Sequence, residues 1–136
     1  MEEAISIYRN RFEPSEYLQK PYMMVCMNVV AAESDEEAGF LATTMHQFGL
    51  NIVRRTQAPL MPPTKNMEEL WSPLEKQMQL ERTRISLIGS KDTVRKQLTK
   101  FQELYNVDEI MAVTYIFDTE KQKRSYEILK EIVEGK

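Results

Sequence analysis

The chain has 136 residues, sets 18 Lys and Arg against 21 Asp and Glu for a formal charge of −3, and is 42% hydrophobic and 29% charged. That balance excludes an intrinsically disordered chain and predicts one domain over residues 1–136 with a real apolar core. A single cysteine, Cys26, and a single histidine, His46, leave no intrachain disulfide, no thiolate cluster for zinc, no multi-histidine metal site and no catalytic triad within one copy.

The acidic, interspersed charge offers no basic stripe for nucleic acid, and no apolar run approaches the roughly 18 residues of a membrane span. Met1-Glu2-Glu3-Ala4 does not open a secretory leader, so a cytoplasmic protein without nucleic-acid, membrane or metal partners is expected. The nine methionines, scattered on apolar periodicities, are expected to fill the core.

In chain order, Ala4, Ile5, Tyr8 and Phe12 recur at helical spacing before Pro14 and predict a short helix over residues 2–12. Residues 22–32, YMMVCMNVVAA, form a nearly continuous apolar run and predict a strand buried on both faces, as in a parallel sheet. Ser34 with Glu37 has the spacing of a capping box, and Phe40, Leu41, Thr44, Met45 and Phe48 share one helical face after it. Pro59, Pro62 and Pro63 predict an irregular loop over residues 51–65.

Asn66 and Glu69 then suggest a second cap, followed by one amphipathic helix through Met67, Leu70, Trp71, Leu74 and Met78 in which Pro73 takes the first turn or makes a kink. A short strand at residues 85–88 ends at Gly89-Ser90, and a helix carrying Val94, Leu98, Phe101 and Tyr105 follows. Residues 110–117, IMAVTYIF, suit a third buried strand, and Thr119 with Gln122 opens a last helix bearing Tyr126, Leu129 and Val133. Strands alternating with helices imply right-handed crossovers and a parallel sheet covered by helices.

Several strings fall in a particular order: Tyr8-Arg9-x-x-Phe12-x-Pro14-Ser15, Pro21-Tyr22, Ala31-Ala32-x-Ser34-Asp35-Glu36-Glu37-Ala38, Pro59-Leu60, Leu70-Trp71-Ser72-Pro73, Gly89-Ser90 with Thr93-Val94, and Arg124-Ser125-Tyr126-Glu127-Ile128-Leu129. Together they resemble the C-terminal part of bacterial luciferase-like flavin-dependent monooxygenases, across nearly the whole chain. The resemblance implies an α/β fold that is the C-terminal portion of a TIM (β/α)8 barrel, with about three parallel strands and their covering helices. It further implies reduced flavin, such as FMN, reacting with oxygen to oxidise an organic substrate such as an aldehyde. A complete barrel takes eight strands and roughly 250 residues, so the early strands and their flavin-contacting groups have no counterpart here. No catalytic residue is carried over, and activity would require the missing half. A non-catalytic, oligomeric interaction module derived from the same family is the alternative.

Gly89 and Ser90 are the candidate cofactor-binding residues, because a helix N-terminus after a late barrel strand suits the flavin phosphate, with Lys91 nearby. The same residues also suit, and more commonly form, a tight turn and a helix cap. Residues 51–64, able to span about 45 Å when extended, either climb back toward the catalytic mouth with Pro59 to Pro63 near it, or pack at the opposite rim. His46 reads as a boundary histidine, Cys26 as a buried inert thiol, Trp71 as a core anchor, and Arg54-Arg55 as ordinary surface arginines. Three strands cut from a ring leave two open edges, so a homo-oligomer or a complementary barrel half is the expected partner.

Overall fold

Residues 24–32 become a strand because the run MVCMNVVAA is apolar and β-rich, and the computed structural model, which describes residues 1–136, makes it the centre of the molecule. The elements in order are α1 (Glu2–Asn10), β1 (Met24–Ala32), α2 (Asp35–Arg54), α3 (Met67–Leu70), α4 (Pro73–Arg82), β2 (Leu87–Ser90), α5 (Lys91–Tyr105), β3 (Glu109–Val113) and α6 (Thr119–Val133). The sheet is wholly parallel in the order β2-β1-β3. The upper half of β1 pairs with β2, Val29 opposite Leu87 through Ala32 opposite Ser90. Its lower half pairs with β3, Met24 opposite Glu109 through Asn28 opposite Val113.

Crossover handedness explains the layers. The step from β1 through α2 to β2 moves one way along the sheet, and the step from β2 through α5 to β3 moves back over β1. Two right-handed crossovers in opposite directions place their helices on opposite faces. One face accordingly packs Met27, Val29 and Ala31 against Val94 and Phe101 of α5 and Ile128 and Ile132 of α6. The other packs Val30 and Ala32 against Ala38, Leu41, Ala42 and Met45 of α2. The three parallel strands form an open α/β unit with the first strand in the middle and helices on both faces.

Burial corrects two further expectations. β1 is covered on both faces only in its upper half: Met24 is 47% exposed, Met111 of β3 is 53% exposed, and Cys26 between them is exposed rather than buried. Four methionines, Met23, Met27, Met45 and Met67, lie in the core, whereas Met1, Met24, Met61, Met78 and Met111 are exposed.

The helix expected after Asn66 is two helices. Ser72 interrupts it with a full capping box, its Oγ accepting from the Glu75 N–H at 3.2 Å and its own N–H donating to Glu75 Oε2 at 2.8 Å, so Pro73 stands at the first helical position. α6 is capped one residue earlier than expected, by Asp118 accepting from the Lys121 N–H at 2.8 Å.

α2 extends to Arg54, so residues 51–54 are helical rather than the start of the expected loop over 51–65, and the proline segment then runs back along it: Thr44 Oγ1 donates to the Met61 carbonyl at 2.8 Å, Gln47 to the Pro62 carbonyl at 2.9 Å, and Thr43 Oγ1 accepts from the Thr64 N–H at 2.8 Å. The segment therefore climbs, with Met61 and Pro62 level with the middle of the helix and Thr64 nearer its start. No helix is long and apolar enough to cross a membrane.

Candidate functional site

In open parallel sheets the carboxyl ends of the strands form the rim where ligands gather, at the point where neighbouring connections leave for opposite faces. Here that point lies between β1, which leads to α2, and β3, which leads to α6. The rim is built from Glu33 to Asp35 after β1, Gly89 and Ser90 at the end of β2, and the first turns of α5 and α6.

Gly89 has φ +151°, a conformation that side chains disfavour, and a Cβ there would lie 2.6 Å from Thr93 Cγ2 and 2.8 Å from Asp35 Oδ1. Ser90 caps α5, its Oγ accepting from the Thr93 N–H at 3.4 Å. Both sequence readings of this pair meet at the same atoms, but the place of the anion is taken: Asp35 Oδ1 accepts from the Ser90 N–H at 2.7 Å. That bond is the main reason the Asp35 carboxyl sits below the usual carboxylate range, with a hydrogen bond from Thr93 adding to it. Lys91 points elsewhere, to Glu131 at 2.8 Å. In this structure the Asp35 carboxylate thus occupies the Ser90 N–H that the flavin-phosphate reading would use.

The rest of the rim is a closed lattice of charge. Glu131 accepts from Lys91 and, at 2.8 Å, from Arg124, whose Nε also reaches Glu33 at 2.6 Å. Lys121 pairs with Glu37. The Lys91 ammonium and then the Arg124 guanidinium pull the Glu131 carboxyl down to about 2, while Glu33 and then Glu131 hold the Arg124 guanidinium above its ordinary range. Beside Arg124, the buried Ser125 Oγ accepts from the Ala31 N–H at 2.9 Å and so anchors the top of β1 to α6. These acids and bases are spent on one another, and no group of three or more His, Cys, Asp and Glu side chains converges to hold a metal ion.

Residues singled out in the sequence scatter. His46 packs against Trp71 with ring centroids 5.5 Å apart; its Nδ1 is buried without a partner, and burial pushes the imidazole below its ordinary range. Trp71 is a half-buried cap rather than a core anchor, its Nε1 donating to Glu68 at 3.4 Å and Lys76 lying 5.8 Å from the ring centroid. Arg54 is paired with Glu75 at 2.7 Å and bonds the Leu70 carbonyl at 2.7 Å, clamping α2 to the break between α3 and α4. Arg55 ends α2 in a left-handed conformation at φ 56°.

Outside the rim, the open lower sheet face presents Met24, Cys26, Asn28, Met111 and Val113 in register. Sequence reasoning missed this asymmetry, and it missed Asp35, Asn28 and Gln79. The one available signal was Gly49, a glycine in mid-helix, which marks the close approach of the buried Gln79 side chain to α2.

No protein-family model matches the chain. The chain is 41% identical over 134 residues to the uncharacterized protein YddN of Bacillus subtilis, covering 98% of this chain and 40% of that protein. It is 38% identical over 132 residues to a luciferase-like monooxygenase of Escherichia coli K12, covering 97% and 39% respectively. The crystal structure of apo-MsnO8 superposes with a TM-score of 0.80 at 28% identity, over 97% of this chain and 40% of that one. The chain thus spans about two fifths of the length of the curated relatives it matches.

Proposed function

We propose that this chain is the C-terminal part of a luciferase-like flavin-dependent monooxygenase, an oxidoreductase acting with reduced flavin and oxygen on an organic substrate such as an aldehyde, and that it is inactive alone. The observation that carries this reading is the likeness to the E. coli luciferase-like monooxygenase along 97% of the chain but only 39% of that protein. Two features of the fold support the dependence on a missing part. The rim already neutralises its own charges, and the lower sheet face is left bare at Met24, Cys26 and Met111. In the whole protein, the neighbouring strands β1 and β3 would belong to the TIM barrel with that face turned inward, and the four-residue β2 would lie along the upper margin of β1. A complementary barrel half, or a second copy of this chain, would cover the face.

Fluorescence of FMN tests the proposal. The chain alone leaves the flavin signal unchanged, whereas its mixture with the part of the E. coli protein outside the match quenches it at stoichiometric ratio and restores oxidation of an aldehyde. Quenching by the chain alone would overturn the dependence on an outside segment. A silent mixture would overturn the flavin assignment and favour the rival, a non-catalytic oligomeric module of the same descent, which the closed rim also suits.

A further inference from the structure

The two margins of the sheet are not alike. Along a parallel strand, one residue turns both of its backbone groups to one neighbour and the next turns both away. On β2 the residue turned away from β1 is Ile88, and the Gln97 side chain occupies both of its groups: Gln97 Oε1 accepts from the Ile88 N–H at 3.0 Å, and Nε2 donates to the Ile88 carbonyl at 3.1 Å. That amide stands where another strand would have to pair. β3 has no such plug. The Glu109 N–H reaches the Met23 carbonyl at 3.1 Å, so Glu109, Met111 and Val113 bond β1, while Ile110 and Ala112 turn their N–H and C=O groups outward and receive no side-chain bond. The residues that commonly protect an edge are missing too: EIMAV has no lysine or proline, and its one charge is at its first position. Apolar surface flanks this margin on both sides. Ile110, Leu129 and Val133 line a groove on the α6 side, and Met24 and Met111 lie bare on the other face.

We infer that β3 is the edge through which two copies of this chain associate, each strand pairing antiparallel with the other about a twofold axis at Met111. Backbone sense and charge fix the register. In an antiparallel pair, an outward residue must oppose an outward residue. An axis at Met111 sets Ile110 opposite the partner's Ala112 and Ala112 opposite the partner's Ile110, and it brings every residue of β3 into the ladder. Each Glu109 then meets Val113, whereas parallel pairing would crowd the acidic starts, Asp108 and Glu109, of the two strands together. A second copy is the occupant because the product closes: the joined sheet ends on both sides at a β2 whose edge Gln97 has sealed, so growth stops at two. The α6 helices, which pack on β1, flank the join, with Leu129 and Val133 of each copy in the groove beside it. The inference concerns the isolated chain and is independent of the flavin reading.

Cross-linking tests the register. Met111→Cys in a Cys26→Ser background puts two thiols at a non-hydrogen-bonded pair with Cα atoms about 4.5 Å apart, within disulfide reach. Under mild oxidation it should form a covalent dimer at least about tenfold faster than Leu104→Cys in the same background, an exposed position on α5 away from the edge. In the parent chain the two Cys26 residues stand three strand spacings apart, about 14 Å, and should not join. Ala112→Pro removes only an outward N–H and keeps every bond to β1. It should sediment as a monomer with unchanged helical circular dichroism where the parent sediments as a dimer. Equal cross-linking at positions 111 and 104, a ready Cys26 disulfide, or a folded Ala112→Pro dimer would each overturn the assignment. A monomeric parent would overturn it as well and leave the edge to a segment of a longer protein.

Discussion

Ser125 shows how one hydroxyl holds two layers together. It accepts from the Ala31 N–H at the point where β1 has left β3 behind. Ser125→Ala leaves a buried N–H unpaired, so urea unfolding should show a loss of about 1–3 kcal/mol. Gly49 and Gln79 form a second such pair. A methyl group at position 49 would overlap the Gln79 carboxamide. Gly49→Ala should therefore destabilise by about 1–2 kcal/mol despite the better helix propensity of alanine, whereas Gln79→Met, which removes the orphan acceptor at similar volume, should leave the thermal midpoint unchanged or higher. The resemblance singled out Arg124-Ser125 as a string, but the bonds to Glu33 and Ala31 that give those residues their work join positions about ninety apart in the chain.

At the level of elements, caps decide boundaries that periodicity blurs. Met67, Leu70, Leu74 and Met78 keep helical spacing straight through Ser72, yet the capping box breaks the run, and Arg54 locks the break by pairing with Glu75. Ser72→Ala should cost about 0.5–2 kcal/mol in denaturant unfolding, with the loss confined to α4 in hydrogen exchange. The ion pairs also set the acid limit. Glu75 and Glu131 both titrate at about 2 in the folded chain, below the ordinary carboxyl value. Each binds a proton more readily when unfolded. The stability they contribute is therefore complete above their unfolded values and is lost as pH falls from about 4.5 toward 2. Glu131→Gln should flatten that limb of a stability-against-pH curve while leaving the region above pH 6 parallel to the parent.

On the scale of the whole molecule, the order β2-β1-β3 leaves β2 and β3 as edges, and α2 shields only half of one face. A bare face carrying Met24, Cys26 and Met111 beside an open edge favours association. Sedimentation of the purified chain should show a particle larger than one copy at micromolar concentration, and Met111→Lys should shift it toward the monomer without loss of helical signal. A well-behaved monomer in the parent chain would overturn the need for cover.

Apolar periodicity, the β-branched runs and the side-chain caps were legible in the sequence because they act over four residues or fewer: three parallel strands, the capped start of α2, the turn at Gly89-Ser90 and a parallel α/β class all follow from local spacing. Strand order was not legible, because nothing in a strand's own residues says which neighbour it will pair with once two crossovers run in opposite directions. The fate of Ser90 shows the same division. Its place at a helix start is a local fact, whereas the carboxylate on its N–H comes from Asp35, which reaches it only after α2 and β2 have docked. Whether Cys26 meets solvent depended likewise on which part of the sheet the helices cover, a question of tertiary coverage that residues 22–32 do not contain.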